Sequence, residues 1–161
     1  MRKAKQMSVD ENMQDAISEL KRADHSIAVS LKYTRTVDVI MSIIERLINT
    51  ISFIFETLIE HAIEKGKIEK TPLVARQKTE LIRKLYPEDE FLKEIIDFYF
   101  TIRKILKSKF SKRQEFRRHV TMTADLEEGK QIEISIDIIT DYFNKVRELI
   151  DYVSVMIQND N

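Results

Sequence analysis

The chain has 161 residues, and its 27 Lys+Arg against 27 Asp+Glu leave no global field to draw it toward nucleic acid or an anionic membrane. A hydrophobic share of 43% beside 34% charged residues excludes a disordered chain, and the length suits one domain, residues 1–161, with a real core. Absent cysteine excludes thiolate chemistry, 2 Gly and 2 Pro leave no material for a glycine-rich phosphate loop, and the missing long apolar run and leader pattern make a soluble, cytoplasmic protein with no membrane partner the expectation.

A capping box, Ser8 with Glu11, opens a first helix on the stripe Met13, Ile17, Leu20, Ala23, Ile27 and Leu31. It is expected to run to about Leu31. The segment Lys32–Asp38 interrupts it, and a second helix is predicted from Thr36 or Val37, with Asp38 at the positive end of its dipole and Gly66 as its stop. Val37, Ile40, Ile44, Leu47, Ile51, Ile54, Leu58 and Ala62 form one stripe of that helix, and Val39, Ile43, Ile48, Phe53, Phe55 and Ile59 widen it. So broad an apolar surface requires burial on several sides, as the centre of a bundle or as a helix shared with a second subunit.

Thr71 and Pro72 predict the start of a short third helix that Pro87 closes, and Pro87 in turn is expected to open the fourth. That fourth helix has Glu88, Asp89 and Glu90 in its first turn, a buried face of Phe91, Ile95, Phe98, Ile102 and Ile105, and Lys107 and Lys109 at its negative end. The period then changes. Val120, Met122 and Ala124 alternate with polar residues, as do Ile132, Ile134 and Ile136, which predicts a small β-hairpin turning near Gly129. From Ile136 the helical period returns, and a last helix follows on Ile139, Phe143, Val146, Ile150, Val153 and Ile157. The fold class is therefore all-α, an up-and-down bundle of about five helices with a hairpin before the last.

Metal chemistry finds little support. Glu56, Glu60 and Glu64 share a helical face near His61, but neither His61 nor His25 has a glutamate three residues before it, so a solvated acidic stripe is expected and no metal or cofactor. No glycine-flanked serine marks a nucleophile elbow. What stands out is the charge distribution: Arg103–Arg118 holds eight cations against Glu115 alone, whereas Asp125 to the end holds nine acids against three cations.

A basic cluster supplies charge-assisted bonds to phosphate, and an imidazole beside it can move a proton at neutral pH. His119 as base toward a ribose 2′-OH and an arginine as stabiliser of phosphoryl charge make up a metal-free route to RNA cleavage. Arg113 and His119, in the stretch RQEFRRH before the last helix, resemble the Arg-x(4–6)-His motif of HEPN domains, and the helix pattern from about Val9 to Ile157 is similar to theirs. Gln114 stands where active members usually carry Asn, Asp or His. The resemblance implies a HEPN-like bundle that binds RNA, and in its cleaving version acts as a metal-independent ribonuclease, toxin-like or RNA-processing. Arg113 and His119 would then be catalytic, Gln114 an orienting group, and Arg117, Arg118, Lys112 and Lys109 phosphate contacts. A homodimer, RNA and a small nucleotidyltransferase-type protein of the toxin–antitoxin kind are the partners this implies. The alternative is a non-catalytic helical oligomerisation or interaction protein, with the same residues forming an ion-paired or solvated surface.

Overall fold

The computed structural model describes residues 8–161, and four of its five main helices begin on a side-chain cap, from Ser8, Thr36, Asp89 and Ser135. Helix α1, Val9–His25, opens on the expected capping box: the Ser8 hydroxyl accepts from the Glu11 amide at 3.1 Å and the Glu11 carboxylate from the Ser8 amide at 3.4 Å. It continues through a π-helical turn, Ser26–Ser30, into a final turn, Leu31–Tyr33. Helix α2, Val37–Glu64, begins where the Thr36 hydroxyl accepts from the Val39 amide. It ends in a Schellman motif: Gly66 takes φ +74°, the Lys67 amide bonds to the Ala62 carbonyl and the Gly66 amide to that of Ile63.

Helix α3, Ala75–Leu85, starts three residues beyond the expected Thr71–Pro72 cap. Capping chemistry does not decide its start, since Val74 offers no side-chain oxygen; the helix begins at Ala75, the first of its residues to touch the core. Helix α4, Glu90–Lys107, likewise starts later than Pro87, because Asp89 is its cap and accepts from the Leu92 amide at 2.9 Å. Its buried face is rotated from the expected one: Leu92, Ile95, Ile96, Tyr99, Ile102 and Ile105 point inward. Phe91 and Phe98 lie on the flank, half-buried against Tyr152 and Tyr142 with ring centroids 4.7 and 5.1 Å apart.

Where a two-stranded hairpin was expected, the chain forms a three-stranded antiparallel sheet in the order β1-β2-β3: β1, Lys109–Arg113; β2, Thr121–Asp125; β3, Gln131–Ile134. Lys109 therefore sits on a strand, not at the end of α4. Met122 faces Ile134 and Ala124 faces Ile132 in the β2–β3 ladder, and with Phe110 these side chains pack into the helical core. The turn between them places Gly129 at φ +73° as expected, with Glu128 also left-handed at +61°. Ile136 belongs to helix α5, Ile136–Asp160, because the Ser135 hydroxyl accepts from the Ile138 amide and ends the strand.

The core centres on α2, which packs against each of the other four helices. Ile40, Ile43, Ile44, Leu47, Ile51, Ile54, Leu58 and Ile59 are wholly buried in it. The breadth of apolar surface read from the sequence is thus covered within the chain, so α2 itself gives no reason for a second subunit. Among the described residues no helix is long and apolar enough to cross a membrane.

Two polar ties close the far end of the bundle. His61 is buried on α2 and its Nε2 lies 2.7 Å from Oδ2 of Asp160 on α5. The Tyr152 hydroxyl on α5 donates to Asp89 at 2.6 Å, so one carboxylate caps α4 and anchors α5. That hydrogen bond, with burial and the negative charge of Asp89, pushes the Tyr152 phenol up from 10 to about 12. The folded state therefore holds this proton more tightly than the unfolded chain, and the stabilisation is complete below pH 10 and lost as pH rises toward 12. Tyr152→Phe should destabilise the protein at neutral pH and converge with the parent at the alkaline end, and an ultraviolet alkaline titration should lose its latest-ionising tyrosine. Equal stability of the two proteins at neutral pH would refute the tie.

Candidate nucleic-acid interface

The connection between β1 and β2, residues 114–120, carries most of the predicted site, and its shape comes from backbone geometry that non-glycine residues rarely adopt. Gln114 has φ +54° and Phe116 φ +67°. Left-handed backbone at such residues costs on the order of 1–3 kcal/mol each and persists only where surrounding bonds hold it. Here the Phe116 amide donates to the Arg35 carbonyl at 2.6 Å, the Arg117 amide to Gln114 and the Val120 amide to Arg117, both at 3.1 Å.

Glu115, the lone acid of the basic run, supplies the remaining anchor. Its Oε2 accepts from the Val37 amide at 2.8 Å, so a carboxylate from the hairpin caps the positive end of α2 beside Thr36. Lys112 lies 3.6 Å from both Glu115 and Asp38, bridging the hairpin to the same helix start. The loop is thus docked on the bundle by a tertiary helix cap.

The predicted residues divide by environment. Arg113 ends β1 opposite Thr121, and its Nη1 is 3.4 Å from Glu133 across the sheet, both side chains half in solvent. His119 lies two residues before Thr121, in the loop that follows Arg113. No hydrogen bond joins them among the described residues, and the Thr121 hydroxyl bonds only to the His119 carbonyl. Lys109, Gln114, Arg117, Arg118 and His119 are exposed. Among the described residues, Lys109, Arg117 and Arg118 have no carboxylate partner.

The first part of the basic run belongs elsewhere. Arg103 lies over the rings of Tyr99 and Phe100, 5.2 and 5.7 Å from their centroids, Lys104 is 3.9 Å from Glu127 in the β2–β3 turn, and both line a groove with Arg76 at the start of α3 and Lys107 at the end of α4. The acidic β2–β3 turn is thus met by Lys104, while Arg113 pairs with Glu133 of β3. The acidic stripe of α2 is only partly solvated: Glu64 is exposed, but Glu56 pairs with Lys78 of α3 and Glu60 is buried. His25 is on the surface, and no group of three or more His, Asp or Glu side chains among the described residues is placed to hold a metal ion.

Sequence reasoning missed β1, the cap from Glu115 and the exposed Phe116. The first has a weak signal because Phe110 is its sole apolar residue; the second needs contact between positions 37 and 115; the third was visible as an aromatic residue set between Glu115 and two arginines. Glu115→Ala should lower stability by about 1.5 kcal/mol, the cost of losing a charged cap. Lys112→Ala should change it by less than about 0.5 kcal/mol, as befits an exposed ion pair. Denaturant unfolding distinguishes these outcomes, and a silent Glu115→Ala would remove the cap from the account.

No family profile, no curated protein and no solved structure matches this chain. Its functional reading rests on the geometry of the hairpin.

Proposed function

We propose that the β1–β2 hairpin binds RNA through its phosphate backbone, making the chain a HEPN-type RNA-binding protein with a sheet inserted before the closing helix. The observation that carries this reading is the trio Lys109, Arg117 and Arg118: exposed cations with no carboxylate partner among the described residues, on a hairpin bonded to the start of α2. A fixed loop loses little conformational freedom when it binds, so its cations form phosphate contacts at lower entropic cost than a mobile tail would. Gln114, at the start of the loop that carries Arg117 and Arg118, can donate or accept toward ribose or base edges.

Cleavage is the further step within the same reading. His119 would take the proton of a ribose 2′-OH while Arg113 stabilises charge on the adjoining phosphoryl oxygens, and a second copy could supply the complementary residue across a twofold axis. Arg113 first has to leave Glu133, a small penalty for an exposed pair. Its engagement there favours binding over cleavage in a single protomer. The homodimer and a nucleotidyltransferase-type partner belong to this proposal.

Fluorescence anisotropy with a labelled oligoribonucleotide tests the reading. Affinity should fall steeply as salt rises, and replacing Arg117 and Arg118 with alanine should reduce the log–log slope by about 0.7 per cation removed. Cleavage, where present, should persist in EDTA and vanish in both Arg113→Ala and His119→Ala. Undetectable binding at low salt would favour a non-catalytic helical interaction protein, and cleavage unchanged in those variants would mark a contaminating nuclease.

A further inference from the structure

Phe116 poses a question that phosphate binding leaves open. It is a phenylalanine at φ +67° with 74% of its surface in solvent, so neither its backbone nor its side chain is in a favourable state. Glycine would relieve the backbone, and a polar residue would relieve the exposure. A second exposed aromatic stands near it. Tyr33 is 78% exposed and lies two residues from Arg35, whose carbonyl receives the Phe116 amide. Two residues span at most roughly 7 Å of chain, so the two rings project from one small region of the surface.

The π-helical turn contributes to this placement. It inserts an extra residue into the helix register at Ser26–Ser30, and the final turn then buries Leu31 while Tyr33 faces solvent. Around the two rings stand Lys32, whose Nζ is 6.0 Å from the Tyr33 centroid, with Arg117 and Arg118 directly after Phe116. Aromatic faces interleaved with exposed cations suit one chemistry in particular: an unpaired nucleotide presents a flat base to the ring and a phosphate to the cation. A duplex hides its base faces and would leave both rings in water. A protein partner would have to be strongly acidic and supply apolar pockets for both rings.

We infer that Phe116 and Tyr33 are a base-stacking platform, so that the hairpin takes single-stranded nucleotides with splayed bases in preference to duplex. The inference rests on the proposed RNA binding and adds to it the residues that contact bases and the strandedness of the ligand. The backbone strain at Phe116 is then the cost of aiming an aromatic ring outward beside the cations.

The test uses the full chain, a single-stranded oligoribonucleotide containing 2-aminopurine, and the same strand in a duplex. The parent protein should bind the single strand about ten-fold or more tighter than the duplex and change the 2-aminopurine emission on binding. Phe116→Gly relieves the positive φ, so it should melt at the same or a higher temperature. It should nevertheless bind the single strand roughly ten-fold more weakly, lose the emission change and keep the parent's salt slope. Tyr33→Ala should do the same to a comparable degree. Parent-like affinity and emission in both variants would overturn the platform while leaving phosphate binding intact; absence of salt-dependent binding in the parent would overturn the proposed function itself. A changed sedimentation coefficient in Phe116→Gly with unchanged affinity would assign the ring to self-association and also overturn the inference.

Discussion

The basic hairpin keeps its shape because it lends a carboxylate to a helix that needs one. The first turn of α2 has amides without intrahelical partners, Thr36 satisfies one of them, and Glu115 reaches across from the β1–β2 connection to satisfy another. That single bond, with the short one from the Phe116 amide to Arg35, fixes the loop on the stable end of the longest helix. The consequence reaches beyond stability. With Glu115 drawn inward, the remaining charge of the loop is wholly positive, and Phe116, next in sequence, is turned outward.

The helix that receives this bond is also the centre of the core. Helix α2 is buried on several sides by its neighbours and is tied at its other end through His61 to the last residues of α5. The sheet joins the same core through Phe110, Met122, Ala124, Ile132 and Ile134 on one face and leaves its other face polar. Placing the candidate interface on the tip of such a sheet gives it a rigid foundation, and the strained backbone of Gln114 and Phe116 can be maintained there. A net charge of zero is compatible with a basic interface because the compensating acids are spread over the helices and the β2–β3 turn.

Much of the helical framework was legible in the residues. Ser8 with Glu11, Thr36 with Asp38, Gly66 and Gly129 each do in the structure what their local chemistry implies, since caps and turns depend on neighbours in sequence. Two starts were misplaced for one reason: at Ala75 and Glu90 the decisive element is a packing contact or a cap two or three residues beyond the proline that drew the reading, whereas the helical period that returns at Ile136 marks the start of α5. Strand β1 carries three cations and one aromatic in five residues, the composition of a protected edge strand, and period-two hydrophobicity cannot reveal it. Of the candidate site, the cluster of residue types was legible and their division was not. That Arg113 turns to Glu133 while Arg117 and Arg118 find no carboxylate among the described residues is a property of strand register and loop docking, which local patterns do not encode.

The central claim is that the hairpin tip, with the end of α1 beside it, is where RNA meets this protein. Zero-length ultraviolet cross-linking of a single-stranded oligoribonucleotide to the full chain, followed by mass mapping of the modified peptides, addresses it most directly. The account predicts adducts on Phe116 and Tyr33 or on the peptides that contain them, suppressed by high salt. Adducts confined to the groove of Arg76, Arg103, Lys104 and Lys107, or none at any salt concentration, would contradict it.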